Sequence, residues 1–439
     1  MTRRVPLGAV VLVAVLIATA CGRISLSRSD GLQGTVIGFS ISVGDSERPA
    51  IEEILNRFER RTRAKVDLEQ LTRSRGPLGA SVRLVTDVPS GKLADRLRAD
   101  AAAGRSTISL FAQDNVGLSE LVDKHLVQEL DGLVDEPEDA IESLVPKHDS
   151  GKRYFLPFRP NVRIAYARTS DFEKAGVEPP ETEDDLVQAA AALKWSGPAK
   201  VTLSLADGDA AAVTIAELIV SHEGDPLVLN DPGSVAAFTF LQRLWRERLI
   251  SSKSMTAQWD TEVDNLAGKE SSLAENWSFT SAQLAKLGEL HKFQVYPGWR
   301  GPAEAHVIGG DVLGIPTGVK GKQLQAAEAL ANFLMSREAQ EILVMRNAWP
   351  SFRNDIDYDS TVPDEQRPTF AAIKAALEHG WYRPFVSYWP DVSAALNDAV
   401  IDILWHDDDV QPVLDRLHDR IRAAAAARGA VYPATPGGG

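Results

Sequence analysis

The sequence predicts an α/β protein of two units, with the chain crossing between them near residue 309. Three observations support this prediction. Apolar strand patterns alternate with amphipathic helical patterns over residues 35–130 and again over 151–250, which is typical of parallel sheets covered by helices. The apolar run at 305–316 is predicted to form two strands separated by Gly309 and Gly310. Two glycines inside a strand pattern mark a bulge, a bend or a close backbone approach, and we interpret them as a crossing beside a ligand.

The first unit follows the order β-α-β-α-β. A strand pattern at 35–41 leads through a polar loop into a helix whose apolar positions recur at helical spacing, at Ile51, Ile54, Leu55 and Phe58. Next come a strand at 66–71, a helix at 93–103, a strand at 108–111 and a helix at 118–130. Parallel sheets bind ligands at the carboxyl ends of their strands. In this unit those ends are residues 42–45 and 111–115.

The second unit begins after an acidic stretch, 131–142, which we interpret as a solvated face. Its first long helix is predicted to begin after Thr182, because Asp185 three residues later completes a capping box. The predicted strands of the remaining chain are 162–167, 201–205, 272–277 and 293–297. The predicted helices are 171–175, 183–193, 210–221, 233–248, 281–290, 323–343, 371–377, 392–405 and 410–427.

Length and composition bound the function. A chain of 439 residues is long enough for two or more domains. The net charge of −14 argues against a nucleic-acid binder, which would present a basic face. The single cysteine, Cys21, excludes an intramolecular disulfide and any cysteine-rich metal site.

The N-terminus has the pattern of an export signal. Two arginines precede an apolar run at 5–20 that is short for a membrane span, and Cys21 follows it directly. This is similar to a bacterial lipoprotein signal, although Ala18 and Ile17 depart from its usual order. We predict a signal peptide at 1–20, lipidation of Cys21 and a tether to the membrane surface at 21–34. An ordinary secretory signal with a chance cysteine stays open.

Several motifs, in this order, resemble one family. They are Gly151-Lys152-Arg153-Tyr154-Phe155-Leu156-Pro157, then residues 164–166, 172–177 and 179–182, then Gly309-Gly310-Asp311, 315–316, 326–334 and 336–340. Together they resemble the extracellular solute-binding proteins that serve ABC importers, in particular the carbohydrate-binding branch that includes maltose-binding protein. The motifs are spread over nearly the whole mature chain.

The resemblance implies a two-lobed periplasmic-binding-protein-like fold, with a ligand cleft between the lobes and hinge crossovers. Lobe one would comprise residues 35–158 and 311–350, and lobe two residues 159–307 and 351–432, before a loose tail at 433–439. The protein would be a monomer outside the cytoplasm that captures a sugar and delivers it to the permease subunits of the importer. Whether Gly309 and Gly310 serve hinge motion or close approach to ligand stays open.

The resemblance also implies ligand contacts. Trp277, which follows Glu275 and Asn276, matches an aromatic position of lobe two. Tyr388 and Trp389 match an aromatic subsite of the C-terminal part, and we expect one of them to be packing. Asp114 matches an acidic hydroxyl ligand. Phe111 stands where the family often has tryptophan. A sugar site needs such aromatic faces together with polar groups that bind hydroxyls.

Further candidates come from the residues themselves. Ser42 and Asp45 follow the first strand, where their alternative role is to cap the next helix. Asp311 follows Gly310 at a strand position where a buried carboxylate needs a partner. Trp299 and Trp349 lie in loops, where their alternative role is packing.

Two arginines stand at the predicted crossover. Arg159 and Arg163, with Asn161 between them, suggest an anionic solute such as glycerol phosphate, because an arginine fork binds carboxylate or phosphate. Salt bridges to the protein's own acids are the alternative.

The rival function classes are a secreted glycosidase acting through two carboxylates and a surface-anchored adhesive lipoprotein. The sequence has no Gly-x-Ser-x-Gly elbow, no His-Glu-x-x-His motif and no phosphate-binding glycine loop. We therefore predict a binding protein without catalytic chemistry, cofactor or metal.

Overall fold

The computed structural model describes residues 32–43, 47–62, 65–69, 90–115, 118–135, 137–146, 151–194, 197–347 and 349–432. The predicted signal peptide, Cys21, most of the tether, Asp45 and the tail at 433–439 lie outside these residues. No helix within the described ranges is both long enough and apolar enough to cross a membrane.

The first third of the chain forms the predicted alternation of strands and helices. Its elements are β1 (Val36–Ser40), α1 (Arg48–Thr62), β2 (Lys65–Glu69), α2 (Ser90–Ala102), β3 (Leu110–Asp114) and α3 (Leu118–Asp123). The pairing of β1 with both β2 and β3 is parallel, as the β-α-β-α-β order predicts. The helix predicted at 118–130 ends at Asp123, and His125 has a positive φ of 54°.

The middle of the chain adds a second set of elements. These are β4 (Leu156–Arg168), α4 (Thr169–Ala175), α5 (Glu183–Leu193), β5 (Val201–Thr202), α6 (Asp209–Ser221), α7 (Pro232–Arg246), α8 (Trp259–Ala267), β6 (Leu273–Trp277), α9 (Thr280–Lys286) and β7 (Phe293–Tyr296). The capping box predicted for α5 is present, since Thr182 accepts the Asp185 N–H and Asp185 accepts the Thr182 N–H.

The last part of the chain returns to the sheet before ending in helices. It comprises β8 (His306–Gly314), α10 (Gly321–Leu334), α11 (Arg337–Asn347), α12 (Tyr358–Thr361), α13 (Arg367–Glu378), β9 (Gly380–Tyr382), α14 (Trp389–Val400) with a π-helical turn at Ile401–Trp405, and α15 (Val410–Ala427). The single helix predicted at 323–343 is two helices, α10 and α11, separated at Met335 and Ser336. Helices α8 and α12 and strand β9 were not predicted from the sequence.

The strands form one path in the order β2-β1-β3-β8-β4-β6-β5, with β7 paired to β4 and β9 to β8. The long strand β4 joins two sections of this path. Its first half pairs with β8 and its second half, from Arg163 onward, pairs antiparallel with β6 and β7. We call the segment where β4 and β8 pair the crossover.

Alternate residues of β4 have opposite surroundings. Phe158, Val162, Ile164 and Tyr166 belong to the large apolar cluster that also contains residues of α1, α10, α11 and α13. Since side chains alternate along a strand, Arg159, Asn161 and Arg163 share the opposite face. A second apolar cluster is formed by α5, α6, α7, α14 and α15. Because the first cluster runs unbroken from β1 to β7, the predicted boundaries of the lobes stay a prediction.

Two glycines lie inside one continuous strand, β8, and do not separate two strands as expected. A Cβ on Gly309 would stand 2.6 Å from the Trp277 ring. Gly310 has a φ of 92°, and a Cβ there would stand 1.9 Å from the Arg159 carbonyl oxygen. The β4–β8 register shifts at this point, between Pro157 and Arg159. Close backbone approach therefore requires glycine at 310.

Candidate functional site

The strand pairing brings three predicted site residues together. Asp114 at the end of β3 pairs with Asp311 on β8, which pairs in turn with Arg159 on β4. Like charges directly opposite each other on neighbouring strands repel, so each carboxylate at this point needs a cation. Two different arginines supply these cations.

Arg159 neutralises Asp311. Its Nε donates to Asp311 Oδ2 at 3.0 Å, and its Nη2 contacts the same oxygen and donates to the Ser42 carbonyl at 3.0 Å. Burial raises the pKa of Asp311, and the guanidinium opposes this rise. Burial lowers the pKa of Arg159, but Asp311 and Glu47 outweigh it and raise that pKa overall.

The Trp349 ring packs on the Arg159 guanidinium. The Arg159 guanidinium carbon lies 4.8 Å from the centre of the Trp349 ring, which is cation–π distance. Trp349 Nε1 donates to Glu47 Oε1 at 2.7 Å. Arg159 is 3% exposed, so it is committed to the protein's own acids. The structure shows the salt-bridge alternative for Arg159.

Arg163 has the same kind of partners. Its Nη1 donates to Glu217 Oε1 at 2.7 Å, and its Nη2 lies 3.9 Å from Glu275 Oε2. Glu217 also accepts the Val307 N–H at 2.6 Å. Burial raises the pKa of Glu275 to about 8, with Arg163 opposing the rise and Glu217 adding to it. Two buried carboxylates thus share one buried cation.

This arrangement predicts a pH dependence of stability. The folded-state pKa of Glu275 lies above its unfolded value of about 4.3, so the unfolded chain binds fewer protons between the two values and stability falls as pH rises towards 8. We expect E275Q to lose this part of the dependence. Its melting temperature minus that of the wild type should therefore increase from about pH 5 to about pH 9. If the melting temperatures of E275Q and wild type changed with pH in parallel, the raised pKa of Glu275 would be contradicted. The control is E270Q, which removes a carboxylate from a surface ion pair with Lys253.

Arg383, which was not predicted from the sequence as a site residue, neutralises Asp114, the other carboxylate of the facing pair. Its Nη2 donates to Asn115 Oδ1 at 3.0 Å and lies 3.4 Å from Asp114 Oδ1. Its Nη1 donates at 2.7 Å to Asp209, the first residue of α6. Arg383 follows the three-residue strand β9, which has too few residues for a periodic signal.

Asn115, which accepts from Arg383, also connects it to the crossover through two hydrogen bonds to β8. Its N–H donates to the Gly310 carbonyl at 3.2 Å, and its Nδ2 donates to the Ile308 carbonyl at 2.9 Å. We call the region bounded by Asp114, Asp209, Trp277, Asp311 and Arg383 the crossover site.

Aromatic side chains adjoin the crossover site. Trp277 lies against Gly309 and packs with Val213 of α6 and Val307 of β8. Trp259 meets Trp277 edge to face, with ring centres 5.5 Å apart. Trp381 packs on the same cluster and, like Trp259, is partly exposed. Indole faces and carboxylates together suit a ligand with both apolar C–H surfaces and hydroxyls.

Other predicted site residues have internal roles. Phe111 is fully buried, facing Gly314 and Phe155. Tyr388 and Trp389 both pack in the second apolar cluster, although only one was expected to do so. Because all three rings are buried in packing, we do not retain these residues as ligand contacts.

The two predicted amides are also engaged within the protein. Asn161 accepts from Ser278 Oγ at 2.5 Å, and Asn276 donates to the Trp259 carbonyl at 2.8 Å. Ser42 is partly exposed and offers its carbonyl to Arg159. The backbone N–H of Trp299 donates to the Glu275 carboxylate. These residues stabilise the neighbourhood of the crossover.

Two further features resemble sites but lie apart from the crossover site. A cavity of about 40 Å³, bordered by Glu183, Glu217, Glu275 and Trp299, has room for only a few water molecules. Asp402, His406 and Asp408 have ligand atoms within 4.8 Å of one another, the one such grouping in the described part of the chain. Asp402 is already paired with Arg416 at 2.5 Å. Neither feature includes Trp259 or Trp381, the partly exposed indoles that adjoin the crossover site.

Comparisons with known proteins identify a family from the sequence and a shared fold from solved structures. A family model described as bacterial extracellular solute-binding protein matches residues 76–367. Maltose-bound T. maritima MalE3 has 19% identity and a TM-score of 0.71, covering 89% of this chain and 99% of its own. The GacH receptor of Streptomyces glaucescens, studied with acarbose, has 17% identity and a TM-score of 0.72 over 89% and 98%. UgpB from Mycobacterium tuberculosis in complex with glycerophosphocholine has 16% identity and a TM-score of 0.71 over 89% and 98%.

Proposed function

Because the chain belongs to the bacterial extracellular solute-binding protein family and has its two-lobed α/β fold, we propose that it captures a carbohydrate or related hydroxyl-rich solute at the crossover site. Binding there, between the lobes, would be followed by closure and by delivery to the permease of an ABC importer. The protein would act as a monomer without catalytic chemistry, held at the outer face of the cell membrane by lipid on Cys21.

One observation carries the choice of solute. Arg383 pairs with both Asp114 and Asp209, and Trp381, two residues before it, packs like Trp259 on the cluster of Trp277, with both indoles partly exposed. Carboxylates and a guanidinium bind hydroxyls in the plane of a sugar ring, and indoles cover its C–H face. Solved proteins of the same fold bind maltose and acarbose, which supports the same class of solute here.

The alternative of an anionic solute such as glycerol phosphate has less support. It was suggested by Arg159 and Arg163, and both are buried in ion pairs with carboxylates of the chain. Because UgpB shares the fold and binds glycerophosphocholine, phosphorylated solutes belong in the test.

The test is a thermal-shift screen over sugars, polyols, amino sugars and sugar phosphates, followed by calorimetric titration of each hit. A solute at a hundred times its dissociation constant should stabilise the protein by roughly 2.7 kcal/mol. Absence of any shift, or conversion of a glycoside by the purified protein, would contradict the proposal.

Removal of the Trp277 indole tests the site. We expect W277A to lose calorimetric binding of the hit, because the buried Trp277 ring supports the partly exposed Trp259 indole edge to face and lies against Gly309 at the crossover. Trp277 is 5% exposed, so W277A should also lose roughly 3–5 kcal/mol of stability, and circular dichroism must show it folded. W405A, which removes an indole that is 66% exposed, is the matched control. Unchanged affinity in W277A would assign Trp277 to packing alone.

A further inference from the structure

Helix α8 has a carboxylate on its buried face. The buried residues of this helix are Glu262, Val263 and Leu266. Glu262 is 0% exposed, its Oε2 lies 3.5 Å from Asn265 Nδ2, and its Oε1 has no hydrogen-bond partner among the described residues. An ionised carboxylate is costly to bury without a partner. The closed helix therefore favours the protonated, neutral form of Glu262.

The charged side chains on the elements that pack against α8 are paired elsewhere or exposed. On β6, Glu275 lies 3.9 Å from Arg163. On α9, Lys286 is exposed. At the end of β4, Arg168 contacts a backbone carbonyl of α8. The other charged residues of α8 and of the turn after it are exposed, namely Asp260, Asp264, Lys269 and Glu270. Within the described part of the chain, Glu262 thus has no counter-ion.

This burial makes the stability of α8 depend on pH. Burial raises the pKa of Glu262 to about 7, although hydrogen bonds from Asn265 and Ser271 oppose the rise. When α8 opens to water, this pKa should return to about 4.3. Between the two values the open helix binds fewer protons than the closed one, so the closed helix loses stability as the pH rises towards 7.

The same helix begins at Trp259, which adjoins the crossover site. The Trp259 ring lies edge to face against Trp277, with ring centres 5.5 Å apart, and its centre is 5.9 Å from the Arg163 guanidinium carbon. Asn276 Nδ2 donates to the Trp259 carbonyl at 2.8 Å. Glu262 follows about one helical turn later. A movement of α8 that brings water to Glu262 therefore also displaces this indole.

We propose that α8 is a pH-sensitive segment, in which loss of the Glu262 proton opens the helix and releases the Trp259 indole from Trp277. With two apolar side chains and one carboxylate on its buried face, the helix has few contacts to lose on local opening. Only the effect on solute capture rests on the proposed function, since a solute that contacts Trp259 requires the closed helix.

Hydrogen exchange of the α8 amides in wild type and E262Q, from about pH 5 to about pH 9, tests the proposal. Protection factors remove the pH dependence of the intrinsic exchange rate. Protection of wild-type α8 should fall by up to about tenfold per pH unit below pH 7 and level off above it. E262Q, or E262M if E262Q does not fold, should show no such fall. D264N, which neutralises an exposed carboxylate of the same helix, is the matched control and should behave as wild type.

Two further measurements locate the effect. Helix α15, which packs in the second apolar cluster, is the internal reference, and its protection should not follow that of α8. In protein labelled with 5-fluorotryptophan, the ¹⁹F resonance that W259F lacks should change over the same pH range in wild type but not in E262Q. E275Q, which removes the carboxylate paired with Arg163, should retain the fall in α8 protection.

A solute from the screen tests the link to capture. At a hundred times its dissociation constant and about pH 8, it should raise the protection of wild-type α8 about a hundredfold, because it binds only the closed helix. Unchanged protection would separate α8 from solute capture. A screen without any hit would remove the proposed function and leave the pH dependence of α8 to be judged by exchange alone.

Three outcomes would overturn the inference. Protection of wild-type α8 that is constant over this pH range would mean that Glu262 does not control the helix. An equal fall in E262Q would assign the pH dependence to another group. An equal fall in α15 would mean that Glu262 acts on the stability of the whole protein and not on local opening of α8.

Discussion

Replacing Gly310 with alanine is expected to lower the free energy of unfolding by about 3 kcal/mol, the sum of roughly 1–2 kcal/mol for a left-handed conformation and roughly 1–3 kcal/mol for overpacking. The φ of 92° disfavours any side chain, and the new Cβ would stand 1.9 Å from the Arg159 carbonyl oxygen. The obstructing atom is backbone, so no rotamer change relieves the contact. Denaturant unfolding followed by tryptophan fluorescence and circular dichroism measures the loss.

A second glycine separates the two contributions. Gly429 has a φ of 66°, and a Cβ there would meet nothing within 4 Å. G429A should therefore lose only the conformational part, roughly 1–2 kcal/mol. If G310A and G429A were equally stable, close approach of β8 to β4 would not be the reason for glycine at 310.

The contacts of Gly309 and Gly310 explain why both positions are glycine. Gly309 makes room for the Trp277 ring, and Gly310 makes room for the Arg159 carbonyl. The Gly310 carbonyl also accepts the Asn115 N–H. Both glycines are thus required by packing in a single conformation. Their use in a hinge stays a prediction.

The order of strands and helices could be predicted because its signals are local. The apolar positions Ile51, Ile54, Leu55 and Phe58 all lie buried in α1 as their spacing predicts. The Thr182 cap needs only Asp185, three residues away. Breaks in helices were missed where their cause is one residue, such as the left-handed His125 after α3.

The site was predicted only in part, because partner choice is a long-range property. The sequence indicated that Asp311 needs a partner but not that it is Arg159, which is 152 residues away. Arg383 and Asp209 carried no motif at all. Aromatic residues at loop positions could not be divided into core and surface, and Tyr388 and Trp389 proved to be core. Such distinctions depend on which helices pack on each face.

Removing the charge of Arg159 is expected to be one of the most damaging single changes at the crossover. R159M removes the cation that is paired with Asp311, whose side chain is 13% exposed. The Asp311 carboxylate, which faces Asp114 on the neighbouring strand, then lacks the positive charge of Arg159. Loss of one partner of a buried ion pair typically costs about 3–5 kcal/mol. R337M, which breaks the exposed pair of Arg337 with Glu341, should cost only about 0–1 kcal/mol.

The double variant R159M/D311N decides whether this cost is electrostatic. Removing both charges leaves no buried carboxylate at position 311, so the double variant should recover much of the loss. This recovery is expected even though the new amide has no guanidinium partner, because an unpaired neutral group costs less to bury than an unpaired charge.

The pH dependence of R159M gives a second criterion. Burial already raises the pKa of Asp311 against the opposition of Arg159, so in R159M that pKa should rise further. The unfolded chain then binds fewer protons than the folded one at pH values between the unfolded and the folded pKa of Asp311. The loss in free energy of unfolding of R159M relative to wild type should therefore shrink as the pH is lowered, because Asp311 becomes protonated in the folded and in the unfolded state. A deficit independent of pH, and unchanged in the double variant, would mean that Arg159 supports the crossover by packing on Trp349 and by its bond to the Ser42 carbonyl, with its charge contributing little.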